Sequence, residues 1–241
     1  MLLGATHTHN GPCTALGIAG GPHHIPVRDG EIEELDTYIE NLVRQLVGLA
    51  AVADADRVPV RFGACSDEAN VAINREEIGQ DGAVLVGRNP DGVTDRSVDV
   101  LRVDDLQGNP IVAYAAHPVV MGLNTYMYSQ DYPGAVRRIV ELATSATFLF
   151  LTGTAGNQAC WSFLQSDWGE QERMGGRIAG AALKTFYEIE PLPHNGCARA
   201  RRVTFAHCTL SQRVSRWADA RDIPHRPWCG KGKAAAFTFV R

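Results

Sequence analysis

Residues 110–124, PIVAYAAHPVVMGLN, contain an apolar run that ends at a histidine followed by a proline. Such a run predicts an apolar strand. Pro118 biases His117 toward an extended conformation, so the backbone fixes the direction of its side chain. His117 is either a polar residue that caps the strand or a functional group at its carboxyl end, where ligands bind in open α/β sheets.

The segments on both sides of this strand predict alternating strands and helices. Residues 98–105, VDVLRVDD, form a strand that residues 104–110, DDLQGNP, join to it as a hairpin, with Gly108 and Asn109 at the tip. Amphipathic or helical patterns cover residues 31–53, 132–143 and 168–190, and 147–153, TFLFLTG, is a further apolar strand. We therefore predict an α/β fold with mixed β-sheets flanked by α-helices and active-site loops at the carboxyl ends of strands.

The first residues, MLLGATHTHNGP, carry two histidines two positions apart. We predict a buried strand over residues 1–6 that runs into a turn at residues 10–12. Side chains two residues apart on a strand share a face, so His7 and His9 would project together, opposite Thr6 and Thr8. This pair is either part of a metal or catalytic site or a set of polar residues lining a turn.

Two further segments offer groups for substrate. The turn in residues 153–158, GTAGNQ, has backbone N–H groups that can cradle an anion or polarise a carbonyl, which makes Gly153, Gly156 and Asn157 candidate substrate-binding residues. Arg75, in residues 73–77, INREE, either binds a substrate carbonyl or carboxylate or belongs to a solvated charge cluster. The chain has no GxSxG elbow and no phosphate-loop lysine, so neither of those site types is supported.

Bulk properties narrow the class of protein. The net charge of −4 over 241 residues argues against a nucleic-acid partner. No apolar run approaches the length of about 20 residues needed to span a bilayer. No signal peptide is visible, the six cysteines form no CxxC pair, and neither compartment nor oligomeric state follows from the sequence. We predict one domain over residues 1–207 and an irregular tail over residues 208–241.

Six segments in this order resemble the neutral/alkaline non-lysosomal ceramidase family. They are ATHTHNGP (5–12), INREE (73–77), DRSVDVLRVDD (95–105), AAHPVVMG (115–122), SQDYPGA (129–135) and FLTGTAGNQ (150–158). The resemblance implies a zinc-dependent amidohydrolase that cleaves the N-acyl bond of ceramide to fatty acid and sphingosine. It implies that His7 and His117 ligate Zn²⁺ and that His9 and Arg75 contact the substrate amide and head group.

The sequence departs from that family in two respects. Gly156 stands where the well-known members carry a serine, so the chain resembles a ceramidase-like branch whose substrate can be another lipid amide or ester. The family's glutamate and tyrosine zinc ligands have no counterpart here, so we expect a fragment that lacks both ends of the catalytic domain and binds zinc weakly. The alternatives are an inactive or binding-only fragment and a metal-independent hydrolase that uses Arg75 and the glycine turn.

Overall fold

The computed structural model describes residues 4–12, 31–104, 109–122, 124–190 and 192–193. These contain three helices and eight strands. In chain order they are α1 (Glu31–Ala55), β1 (Arg61–Glu68), β2 (Ala72–Ile78), β3 (Val84–Asn89), β4 (Ser97–Asp104), β5 (Asn109–Tyr114), α2 (Tyr132–Thr144), β6 (Leu149–Thr152), β7 (Gln158–Cys160), α3 (Trp168–Glu188) and β8 (Leu192–Pro193).

The larger sheet has five strands in the order β6-β5-β4-β1-β8. Strands β5 and β6 are parallel, whereas the other neighbouring strands are antiparallel. The predicted pairing of β4 with β5 is confirmed, although residues 105–108 of the connecting turn lie outside the described residues. The predicted α/β class with mixed sheets and flanking helices is therefore confirmed.

A smaller antiparallel sheet, β3-β2-β7, lies beside the end of β5. Strands β2 and β7 were not predicted from the sequence. Beyond β5 the chain continues to His117, which forms a parallel bridge with Ala159 of β7. Because of this bridge, the loop after β5 is held between the two sheets.

Helices α2 and α3 pack together, and α3 also contacts β1, β4 and β5 of the larger sheet. A Cβ added at Gly175 of α3 would lie 2.5 Å from the Ala135 Cβ of α2. Glycine is therefore needed where the two helices approach each other. Helix α2 begins after Asp131, whose side chain accepts from the Tyr132 N–H, and Pro133 occupies its first turn as predicted.

Helix α1 confirms the predicted helix but not a packed apolar face. Val47 is 66% exposed and Val52 is 59% exposed, and other apolar side chains on the helix are also largely exposed. Within the described ranges, α1 makes no extensive contact with another helix or strand. Among the same residues, no helix is both long enough and apolar enough to cross a lipid bilayer.

The predicted strand over residues 1–6 is wrong for its described part, and residues 1–3 lie outside the described residues. Residues 4–6 are in no strand, and residues 4 and 5 are exposed. No described strand pairs with them, and the Thr152 hydroxyl at the end of β6 donates to the Thr6 carbonyl over 2.8 Å. The proposed tail, residues 208–241, also lies outside the described residues.

Candidate metal centre

His117 is held rigidly at the junction of the two sheets. It is 7% exposed, and its backbone N–H donates to the Gln158 carbonyl over 3.0 Å. Its ring Nδ1 is hydrogen-bonded to the Ala155 carbonyl. Since a carbonyl oxygen can only accept, Nδ1 carries the proton and Nε2 carries the lone pair. A ring oriented in this way by a backbone carbonyl is typical of a histidine that ligates a metal.

Burial also sets the charge of this ring. The pKa of His117 is lowered to about 4, mainly by desolvation and also by the nearby Arg75, His7 and His9, whereas the hydrogen bond with Ala155 opposes the shift. The imidazole is therefore neutral near pH 7. Neutral imidazole is the form that binds metal ions.

His7 and His9 reach the same place from a segment without regular secondary structure. His7 has a φ of 63°, in the left-handed region that side-chain-bearing residues rarely adopt. The segment is tied to the loop before α2, because the Thr8 hydroxyl donates to the Ser129 carbonyl over 2.9 Å and the Ser129 N–H donates to the Asn10 carbonyl over 2.9 Å. The two histidines thus converge through a turn rather than through the alternation of a strand.

The three imidazoles form a compact cluster. The Nε2 atoms of His7 and His117 are 3.0 Å apart. The His9 ring centroid lies 5.1 Å from that of His7 and 5.8 Å from that of His117. One nitrogen of each ring can be chosen so that all three lie within 4.8 Å of one another.

This arrangement fits a zinc ion by its donor chemistry. Two nitrogens on a tetrahedral zinc, each about 2.0–2.1 Å from the metal, are about 3.3 Å apart, close to the separation between His7 and His117. The lone pair of His117 faces the His7 ring, and imidazole is a preferred zinc ligand. In the described part of the chain, no carboxylate or thiolate joins this cluster.

Arg75 of β2 also reaches the cluster. Its Nη2 lies 3.3 Å from the His117 Nε2 and donates to the Gly156 carbonyl over 2.9 Å, and its Nε donates to the same carbonyl over 3.1 Å. Burial lowers the pKa of the Arg75 guanidinium, which still stays charged near neutral pH. Arg75 is half-buried, whereas its neighbours Glu76 and Glu77 are exposed, so the three charged residues differ in their access to solvent.

The turn at residues 153–157 borders the cluster, but its residues differ in what they can bind. The Gly153 N–H donates to the Tyr114 carbonyl, and an added Cβ would lie 3.0 Å from the Ala115 Cβ, so this glycine serves packing. The Gly156 and Asn157 N–H groups donate to no acceptor among the described residues. An added Cβ at Gly156 would meet open space. Of the three predicted substrate-binding residues, Gly156 and Asn157 retain N–H groups for a ligand.

Two buried residues support the cluster and were not singled out as site residues by the sequence analysis. Gln158 is 1% exposed and bonds to the Ala115 carbonyl and to both backbone groups of Asp95. Asp131 is fully buried and accepts from the N–H groups of Val120 and Met121, which follow His117. Both lie within the segments that resemble the ceramidase family, and that resemblance is the sequence signal that could have identified them.

Comparison with solved structures gives two partial likenesses. A ceramidase complexed with C2 aligns with 53% of this chain and 22% of its own, at 21% identity and a TM-score of 0.42. The neutral ceramidase from Pseudomonas aeruginosa aligns with 54% of this chain and 22% of its own, at 21% identity and a TM-score of 0.39. The chain therefore spans 22% of the length of these two structures. No protein-family model and no curated protein matches it.

Proposed function

We propose that this chain carries part of the active site of a zinc-dependent, ceramidase-like hydrolase that cleaves the N-acyl bond of ceramide or of a related lipid amide or ester. The observation that carries the proposal is the meeting of His7, His9, His117 and Arg75, which are far apart in sequence. The ordered sequence motifs that contain these four residues supply the substrate class.

In this proposal His7 and His117 hold the zinc ion through their Nε2 atoms. The tautomer of His117 supports its role, because the Ala155 carbonyl keeps the proton on Nδ1 and leaves Nε2 free to bind. Zinc, when bound, would lower the pKa of a water molecule and polarise the acyl carbonyl.

Arg75 and the turn at Gly156 and Asn157 bind the substrate. The Gly156 carbonyl fixes the guanidinium through two of its nitrogens, so that Nη2 points toward the cluster and can donate to an acyl oxygen. The N–H groups of Gly156 and Asn157 provide further donors where negative charge develops on that oxygen.

His9 donates a proton to the leaving group. Its ring is adjacent to both proposed ligands, which is the position needed to protonate the leaving amine as the bond breaks. Replacing His9 should therefore reduce turnover and leave zinc in place.

A fluorescent N-acyl sphingosine tests the proposal with the zinc-loaded 241-residue chain. We expect slow release of the labelled fatty acid that a chelator abolishes and added zinc restores. His7→Ala should abolish it, and His9→Ala should reduce it without loss of zinc. Hydrolysis that resists the chelator would overturn the zinc mechanism.

A binding-only protein is the second candidate, and the lack of a carboxylate ligand among the described residues favours it. It predicts saturable binding of the N-acyl probe with no release of fatty acid, even after zinc is added. The same assay therefore separates the two functions.

A further inference from the structure

A groove lies between the smaller sheet and helix α3, away from the histidine cluster. It has a volume of about 410 Å³, and its walls include Asn70, Asn74, Arg96, Trp161 and Arg177. Ala72, Ile73 and Asn74 of β2 line the groove, whereas Arg75, the next residue of the strand, contacts His117. None of the residues that line the groove belongs to the histidine cluster.

The charged side chains that line the groove are all positive. Two arginines line it, and no aspartate or glutamate does. This is unusual in a chain with a net charge of −4, where carboxylates outnumber cationic side chains.

The other arginines in the described part of the chain already have partners. Arg75 contacts His117, and Arg88 lies over the Phe163 ring at 5.2 Å. Seven more form ion pairs within 4.0 Å: Arg44, Arg57, Arg61, Arg102, Arg137, Arg138 and Arg173. Arg96 and Arg177, which line this groove, form no ion pair within 4.0 Å and stack on no aromatic ring among the described residues.

Both arginines are positioned by the backbone around them. The Arg177 Nη1 donates to the Asn70 carbonyl over 3.3 Å, which holds the guanidinium at the groove wall. The Arg96 carbonyl accepts from the Ala69 N–H over 3.0 Å. The Asp95 carboxylate accepts from the Ser97 N–H, and Glu170 pairs with Arg173 while its charge also interacts with that of Arg177.

Trp161 adds an apolar wall. It is 38% exposed, and Arg173 lies 5.2 Å from its ring centroid. A flat or apolar group can pack against the exposed part of the indole while an anionic group reaches the two guanidinium forks.

We propose that this groove binds a phosphate monoester, with its dianionic phosphate between Arg96 and Arg177 and its organic part against Trp161. Two guanidinium groups match the two negative charges of a monoester, and each presents the forked donors that phosphate oxygens accept. The phosphate belongs either to a soluble ester or to a lipid headgroup. The site is independent of the zinc proposal, since none of its residues belongs to the histidine cluster.

Titration calorimetry with phenyl phosphate tests the site in the 241-residue chain. We expect saturable binding to one site, unchanged by a chelator and weakened by salt. Arg96→Gln and Arg177→Gln should each weaken it by at least about fivefold, and the double variant should abolish it. The matched control is Arg138→Gln, an exposed arginine paired with Glu172, which should bind like the unmodified chain. Circular dichroism checks that each variant is folded.

Vesicles separate the two sources of the phosphate. Sedimentation with phosphatidylcholine vesicles that contain phosphatidic acid, but not with phosphatidylcholine alone, assigns the groove to a lipid headgroup if the double variant fails to sediment. Binding of phenyl phosphate without vesicle binding assigns it to a soluble ester. Absence of both, or binding that the double variant retains, overturns the proposal.

Discussion

The candidate metal centre has two halves that the fold supports very differently. The inner half, His117 and Arg75, is buried or half-buried, and backbone hydrogen bonds tie it to β7 and to the turn before it. The outer half, His7 and His9, is exposed on a segment without helix or strand. That segment is held to the rest of the protein by hydrogen bonds such as those of Thr8 and Thr152.

Because the two halves are supported differently, substitutions in them should affect folding stability and zinc affinity to different extents. The inner half is part of the core, so its geometry is set before any metal arrives. Under the proposed function, zinc would bridge the outer half to His117 and so order it, because a ligand that binds only the assembled site stabilises that arrangement. Changes near the inner half should therefore destabilise the fold, and changes near the outer half should act mainly on zinc affinity.

Asp131→Ala should have the largest effect on stability. It leaves three buried backbone donors, the N–H groups of Val120, Met121 and Tyr132, without their acceptor. Each orphaned group costs about 1–3 kcal/mol, so the free energy of unfolding should fall by at least about 3 kcal/mol. Urea denaturation measures it, with the exposed Asp36→Ala as the control; a loss below about 1 kcal/mol would contradict the core role of Asp131.

Gln158→Ala should destabilise the inner half by a smaller amount. The change removes the bonds to the Ala115 carbonyl and to Asp95, at a cost of about 2 kcal/mol in the free energy of unfolding. Zinc affinity should also fall, because the Gln158 side chain donates to the carbonyl of Ala115, two residues before His117. Denaturation and zinc titration measure the two effects. Gln45→Ala, at an exposed position, should change neither quantity. An unchanged zinc affinity in Gln158→Ala would show that this side chain does not help to position the zinc ligands.

Zinc should protect the outer half selectively. Backbone amides of residues 4–12 should exchange rapidly with solvent in the metal-free chain and slowly in the zinc-loaded chain, because zinc ties His7 to the core. The His117 amide, already bonded to Gln158, should change little. Hydrogen exchange followed by mass spectrometry measures both. Equal protection of the two halves before zinc is added would contradict the claim that the fold supports the inner half more firmly than the outer half.

Thr152→Val should have the smallest effect. It deletes the hydrogen bond to the Thr6 carbonyl and preserves side-chain shape, so we expect zinc affinity to fall by about fivefold with less than about 1 kcal/mol lost in stability. Thr144→Val is the matched control, since it deletes a hydroxyl bond to the Val140 carbonyl within α2. If both variants bind zinc equally, the hydrogen bond from Thr152 is not what positions His7.

The sequence predicted the inner strands and helices because their signals are local. The apolar runs of β5 and β6 and the proline at the start of α2 are sufficient to locate those elements. Strand β2 was not predicted because the consecutive charged residues Arg75, Glu76 and Glu77 interrupt the alternation of apolar and polar residues. Strand β7 was not predicted because it has only three residues. The exposure of α1 could not be predicted, since an amphipathic pattern identifies an apolar face but not what covers it.

The residues of the candidate site could be predicted from the sequence, but the backbone geometry that brings them together could not. The expectation that His7, His9 and His117 lie close together agrees with the structure, while their roles stay predictions. The strand expected to align His7 with His9 is absent in the described residues, and the left-handed backbone at His7 aligns them instead. Such a conformation is imposed by contacts with distant segments, so no local pattern reveals it.

Zinc titration of the metal-free 241-residue chain and three variants tests whether His7 and His117 bind the metal. We predict that the unmodified chain binds one zinc ion, that His7→Ala and His117→Ala each abolish measurable binding, and that His9→Ala keeps it. Loss of binding in His9→Ala equal to that in the other two would show that His9 is a third ligand rather than the proton donor. Zinc binding that survives both His7→Ala and His117→Ala would contradict the account.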